Sequence, residues 1–372
     1  MIEASLHSAR LPLRHVWTIS HGTRTEQHNL IVALHDRGSG LTGYGEAPGI
    51  PYMGATVEDM VGRVKWNDPH LKRCWVDAVH GSDGSKNPME SPAWQEMTLA
   101  EGLIPSGRFV RAAMDQAVLD LWGKTHGRTV RSLWAAPSTQ GPASDYTIGL
   151  ADPASMVAKI QEFPDFPVYK IKLGSSAEQG GTVRDLQIIR HLREATDRPF
   201  RVDANTAWTA EQTLELAAPL RDLGVQFIEQ PLKPNLPRSE HEAVYFGCDL
   251  PVIADESCQT ESDVERCAGL FHGINIKLSK CGGMTPARRM IDRARKLRLS
   301  VMMGCMTEST VGISALAQFL PLLDDVDMDG ALLLAEDVAD GVKLQGNGIA
   351  RFPAGGADVG NGVRLTRTLD DA

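Results

Sequence analysis

Three stretches decide how this chain is read: Phe200-Arg201-Val202-Asp203-Ala204-Asn205, Phe227-Ile228-Glu229-Gln230-Pro231 and Val252-Ile253-Ala254-Asp255-Glu256-Ser257. Each carries a short β-rich segment into an acid. Asp203, Glu229 and Asp255 are separated by two equal intervals of 26 residues, the scale of one strand-plus-helix unit. On both sides of them, β-rich runs recur at 146–150, 168–173, 200–205, 226–230, 252–256, 274–278, 300–304 and 326–330. Segments with helical period separate them, among them 211–223, with Leu214, Leu216, Leu220 and Leu223 on or near one face. Eight parallel strands with intervening helices predict a closed barrel.

At 372 residues the chain exceeds one ordinary hydrophobic core. The barrel is expected over 126–340. Residues 1–125 read as a separate α+β unit, with strands near 2–10, 29–36 and 41–46 and helices near 56–65 and 109–123. The stretch 66–105 is polar, rich in Pro, Ser, Asp and Trp, and reads as an insertion or long loop. The glycine-bearing end, 341–372, is expected to pack back on the first unit. A net charge of -9 with acids spread along the chain offers no basic patch for nucleic acid. No apolar run reaches membrane-spanning length, and Met1-Ile2-Glu3-Ala4-Ser5 lacks the pattern of a signal peptide. Six cysteines lie scattered without zinc-site spacing. These features predict a reducing, cytoplasmic setting, and homo-oligomers are common enough to expect a homo-oligomer.

In a parallel barrel the C-terminal strand ends form the active-site mouth. Three carboxylates there repel one another unless a cation neutralises them, and an oxygen-only set suits Mg²⁺ or Mn²⁺. One such acid alone is as readily a helix cap; three in register point to a metal. Asn205 reads as a capping or supporting group beside the ligands.

Lysines flank the acids, in Tyr169-Lys170-Ile171-Lys172-Leu173-Gly174 before them and Ile274-Asn275-Ile276-Lys277-Leu278 after them. Strand alternation sends Lys170 and Lys172 to one face, which among apolar neighbours is the barrel interior. Lys172 and Lys277 then stand on opposite sides of the acid-bearing strands, placed to take a proton from one face of a substrate and return it to the other. Burial and a nearby cation are expected to lower the lysine pKa values, so that a neutral amine serves as base. Singly, each lysine is also explained by a structural ion pair. The eighth strand ends Asp327-Met328-Asp329-Gly330, two acids at same-face spacing that require a cation. Asp324 and Asp325 just before them leave open a surface acidic run.

These segments resemble the enolase superfamily, in particular its muconate-lactonizing-enzyme subgroup, along nearly the whole chain. The resemblance implies an α+β capping domain in front of a (β/α)7β TIM-like barrel. It implies Asp203, Glu229 and Asp255 as ligands of one Mg²⁺, with Mn²⁺ as substitute, Lys172 and Lys277 as the acid/base pair, and Lys170 in support. The Asp327/Asp329 pair and the segment Ile274-Asn275-Ile276-Lys277-Leu278-Ser279-Lys280-Cys281-Gly282-Gly283 are similar to dipeptide epimerases, in which the acid pair holds the substrate's α-ammonium group. Specificity loops of the capping domain are then expected at 20–27 and 47–55. Arg24 falls where a glutamate carboxylate of an L-Ala-D/L-Glu substrate is received, and His21 and Tyr52 are lid candidates. A role in cell-wall peptide recycling follows from the resemblance alone. N-acylamino-acid racemase, o-succinylbenzoate synthase and muconate-type cycloisomerase are alternatives that need no ammonium clamp. A Schiff-base lyase and a non-catalytic barrel are the readings from other classes.

Overall fold

The computed structural model describes residues 1–19, 22–81, 87–92, 94–95, 107–134 and 139–372. Strands β1 (Ile2–Ile19), β2 (Gly22–Asp36) and β3 (Leu41–Pro48) form an antiparallel meander. A two-residue terminal strand, Asp370–Asp371, adds to the outer edge of β1. Helices α1 (Val57–Gly62), α2 (Pro69–His80) and α3 (Arg108–His126) follow, and α3 lies across β3 and β2. The approach is so close that a Cβ on Gly45 would fall 1.9 Å from the carbonyl oxygen of Ala113, so β3 carries glycine there.

The barrel strands are β4 (Tyr146–Ile148), β5 (Tyr169–Lys172), β6 (Phe200–Asp203), β7 (Val225–Glu229), β8 (Val252–Ala254), β9 (Gly273–Ile276), β10 (Ser300–Gly304) and β11 (Asp325–Asp327). They pair in parallel and in sequence order. A parallel bridge between Ser144 and Val326 closes the ring, with Asp145 N donating to Val326 O at 3.2 Å. The intervening helices are α4 (Pro153–Glu162), α5 (Gly181–Ala195), α6 (Ala210–Asp222), α7 (Arg238–Gly247), α8 (Val264–Cys267), α9 (Leu278–Cys281), α10 (Met284–Lys296) and α11 (Thr310–Ala317). Seven strand–helix units and a last strand make the (β/α)7β barrel that the sequence predicts. One apolar core runs from Leu30, Val32 and Leu34 of the meander through Val110, Met114 and Leu121 of α3 to the barrel wall.

Two expectations are corrected. Residues 69–80, assigned to a long loop, form α2, which buries Leu71, Cys74, Trp75, Ala78 and Val79 at helical spacing. Asp68 accepts from the amides of His70 and Leu71 ahead of Pro69, a helix start masked by the polar composition of the whole stretch. The other correction concerns 20–27. Paired strand extends from residue 2 to 19 and from 22 to 36, so most of the supposed loop is the end of a long hairpin. Residues 12 and 14–16 are exposed, which erases the alternation by which a strand is recognised. His21 lies outside the described residues.

Candidate active site

Backbone register sets out the site before any side chain is considered. Lys172 is the Cα partner of Asp203, and Asp203 of Glu229, so three polar residues stand in one row across β5, β6 and β7. Asp255 follows the last residue of β8 and Lys277 the last residue of β9, where it serves as the N-cap of α9. The five positions sweep round the C-terminal mouth in the order lysine, acid, acid, acid, lysine. Gly304 ends the neighbouring strand because a Cβ there would come within 2.8 Å of the Asn275 amide and 3.1 Å of Lys277 Cε.

Carboxylate oxygens of Asp203, Glu229 and Asp255, all buried, lie within 4.8 Å of one another. Each acid also meets an amine. Lys172 Nζ donates to Asp203 Oδ2 at 2.6 Å; Lys277 Nζ and Lys280 Nζ donate to the two oxygens of Asp255 at 2.9 and 2.7 Å. Lys170, fully buried beneath them, sits 2.7 Å from Glu229 Oε2, 2.9 Å from Asp327 Oδ2 and 3.7 Å from Asp203 Oδ2. Its contact with Glu229 is an ion pair without hydrogen-bond alignment, so Glu229 Oε2 remains a buried acceptor with no hydrogen-bond donor. Asn275 Nδ2 donates to the other oxygen at 2.8 Å.

The acids around them set the charges of the lysines. Burial pushes the Lys277 amine down, but Asp255 outweighs it and the net shift is upward. Lys170 is likewise raised, burial being overcome by Asp327, Glu229 and Asp203. Burial raises the Asp203 carboxyl and Lys172 and Lys170 more than reverse it, leaving it lowered. In this arrangement the lysines are the cations that neutralise the acids.

Asp327 and Asp329 are buried at the same mouth, whereas Asp324 pairs with Arg295 and Asp325 with Arg201 away from it. Thr147 donates its hydroxyl to Asp327 at 3.2 Å and its amide to Asp329 at 2.6 Å. Burial, then the Asp327 charge, pushes the Asp329 carboxyl up to about 8. Asp327 moves the other way, Lys170 overcoming burial to hold its carboxyl below the ordinary range, so the two neighbouring acids differ in how readily they take up a proton.

A single cavity gathers these groups. Arg24, Ile50, Tyr52, Lys172, Asn205, Asp255, Lys277, Asp327 and Asp329 line it together with Glu256, Lys280, Met306, Thr307 and Leu333. Arg24 reaches it from β2, donating to Thr307 Oγ1 at 2.9 Å, while its Nε is buried without a hydrogen-bond partner. Burial lowers the pKa of this guanidinium. Tyr52 comes from a 3₁₀ turn, Pro51–Met53, inside the predicted 47–55 segment. The Asn205 amide donates to Asp203 Oδ1 at 2.9 Å.

Sequence reasoning missed Lys280, Thr147 and Glu308. Lys280 follows Lys277 by three residues, one turn into α9, a spacing that carried the signal. Glu308, whose carboxyl burial and then Glu46 push up to about 8, had none.

Residues 154–366 match the model of the enolase C-terminal domain-like family. An L-Ala-D/L-amino acid epimerase of a Maribacter species is 44% identical over 98% of this chain and 100% of its own length. The L-Ala-D/L-Glu epimerase of Bacteroides thetaiotaomicron is 36% identical over 90% of this chain and 81% of its own. The crystal structure of a dipeptide epimerase from Enterococcus faecalis, complexed with Mg and L-Leu-L-Tyr, superposes with a TM-score of 0.83 at 26% identity, covering 97% of this chain and 99% of that one. With a family model spanning more than half of it and relatives aligned along nearly its whole length, this chain belongs to the enolase superfamily, among that superfamily's dipeptide epimerases.

Proposed function

We propose that this protein is a metal-dependent epimerase of dipeptides, inverting Cα of the C-terminal residue, with Lys172 and Lys277 as the acid/base pair. The observation that carries the reading is the placement of these two amines on opposite sides of one carboxylate triad, in a cavity that also holds Asp327 and Asp329. One lysine, as the neutral amine, takes the Cα proton, and the other, as the ammonium, returns a proton to the opposite face.

Asp203, Glu229 and Asp255 fit a hard divalent ion such as Mg²⁺: all donors are oxygens, they converge within 4.8 Å, and Glu229 Oε2 is a buried acceptor lacking a hydrogen bond. When bound, the ion supplies positive charge to hold the substrate carboxylate and to stabilise the negative charge that builds on it as Cα loses its proton. Asp203 and Asp255 serve both the lysines and the ion site, so the charge of each amine is tied to how its carboxylate is engaged. Lys170, gripping Glu229 and Asp327 from below, keeps the two acidic groups at fixed separation. Asp327 and Asp329 receive the α-ammonium of the N-terminal residue, a charge that N-acylated substrates lack.

Arg24 supports an acidic C-terminal side chain, because its unpartnered Nε faces burial without a donor's reward until an anion arrives. L-Ala-L-Glu is therefore the first substrate to try. Proton NMR in D₂O with Mg²⁺ and a panel of L,L-dipeptides reads the chemistry directly. Deuterium is expected at Cα of the C-terminal residue only, abolished by EDTA and by Lys172→Ala. Exchange that persists in Asp329→Asn with free-amine dipeptides, or appears only with N-acylamino acids, rejects the dipeptide reading in favour of an N-acylamino-acid racemase.

A further inference from the structure

The hairpin that carries Arg24 breaks its regular pairing at one place. Partners run from Ile2 and Asp36 to Pro12 and Glu26, then resume at Trp17 and Arg24. Residues 13–16 of β1 thus face a single intervening residue of β2, a bulge, and bulges re-aim the side chains they contain. Here Leu13, Arg14 and His15 turn onto the barrel, while Val16 is exposed. Leu13 forms an antiparallel bridge with Leu334, and Ala335 N donates to Pro12 O at 2.8 Å. Arg14 Nε donates to Leu334 O at 2.9 Å. His15 Nε2 lies 2.7 Å from Glu162 Oε2, at the end of α4, with Arg14 Nη1 4.0 Å from the other oxygen. Beyond the bulge, Arg24 stands opposite Trp17 and donates to Thr307.

We propose that residues 13–16 are a clasp that fixes Arg24 over the cavity, with Arg14, His15 and Glu162 as positioning residues. The inference rests on the reading of Arg24 as the group that receives a substrate carboxylate. A two-stranded ribbon extending past its sheet is not stiff by itself, and the bulge removes ladder hydrogen bonds just beyond the place where β3 ends and the ribbon leaves the meander. The barrel contacts replace them. Glu162 and His15 are partly exposed, at 29% and 47%, and such pairs contribute little to global stability. Their loss is felt in how often the ribbon lifts, not in whether the protein folds.

The test compares wild type, Glu162→Gln and Arg14→Ala/Glu162→Gln in three measurements. Amide hydrogen exchange of residues 22–27 without substrate is expected to rise about three- to tenfold in the double variant, the scale of one or two weak surface interactions, with Tm unchanged. KM for L-Ala-L-Glu is expected to rise by a similar factor at constant kcat, while KM for L-Ala-L-Val changes by less than about twofold. Unchanged exchange in the double variant overturns the clasp. Faster exchange with an unchanged KM for L-Ala-L-Glu overturns its link to Arg24. If wild type turns over no dipeptide, the proposed function fails, and hydrogen exchange still decides the clasp.

Discussion

Replacing Glu46 by alanine is expected to loosen the capping domain from the barrel. Glu46 lies on β3, is fully buried, and accepts from four donors: Asn29 Nδ2 at 2.7 Å, Ser309 N at 2.9 Å, Ser309 Oγ at 2.7 Å and Gly312 N at 2.9 Å. Three of the four belong to the start of α11, so an acid of the capping domain caps a helix of the barrel. Alanine leaves the Ser309 and Gly312 amides buried without an acceptor, at about 1–3 kcal/mol each. Removing a carboxylate whose pKa is raised by burial returns part of that cost. The net destabilisation is about 2–4 kcal/mol. An unfolding entropy of about 2.1 cal/mol/K per residue over 372 residues gives about 0.8 kcal/mol/K, so Tm falls about 3–5 °C. Calorimetry of wild type, Glu46→Ala and Glu46→Gln reads this. Glutamine keeps one acceptor and turns an N–H toward other donors, so it should lose nearly as much. A Tm for either variant within about 1 °C of wild type refutes the reasoning.

Two further outcomes follow from the site. Because the Asp329 carboxyl is held up to about 8, above its ordinary 3.8, the folded protein keeps a proton that the unfolded chain releases. Stability from this group is complete below the ordinary carboxyl range and is lost as pH rises through about 8. Asp329→Asn, which mimics the protonated form, should therefore be more resistant to urea than wild type at pH 9 and converge with it toward pH 4, while losing activity on free-amine dipeptides; equal urea curves at pH 9 contradict the assignment. Arg24→Ala should raise KM for L-Ala-L-Glu about 10- to 100-fold, the worth of one charge-assisted contact, and leave L-Ala-L-Val nearly untouched in steady-state assays. Equal effects on both substrates would show that Arg24 shapes the lid without reading the side chain.

Much of the site was legible because its residues are local to repeating units. A strand end recurs every βα unit, so an acid at 203, 229 and 255 announces its place by interval alone, and Lys170 and Lys172 announce theirs by alternation. Same-face spacing marks the Asp327/Asp329 pair, although β11 ends at Asp327 and Asp329 lies just beyond it, at the start of a 3₁₀ turn, Gly330–Leu333. The hairpin end was not legible, since its exposed residues bury no regular face. Helix α2 was legible in principle, for Leu71, Cys74, Trp75, Ala78 and Val79 carry the helical period through a polar stretch.

By itself the sequence determines the order of strands and helices, the barrel, and the row of acids flanked by lysines, because each is encoded over a few residues by periodicity and burial. Tertiary structure alone decides what the acids touch. Lys280 turns onto Asp255, Glu46 caps a helix 263 residues further along, and Arg24 meets Thr307 across 283 residues. Contacts between positions so far apart leave no period in the chain; they exist because closing the barrel and docking the capping meander on it bury those polar groups together, where each must find a partner.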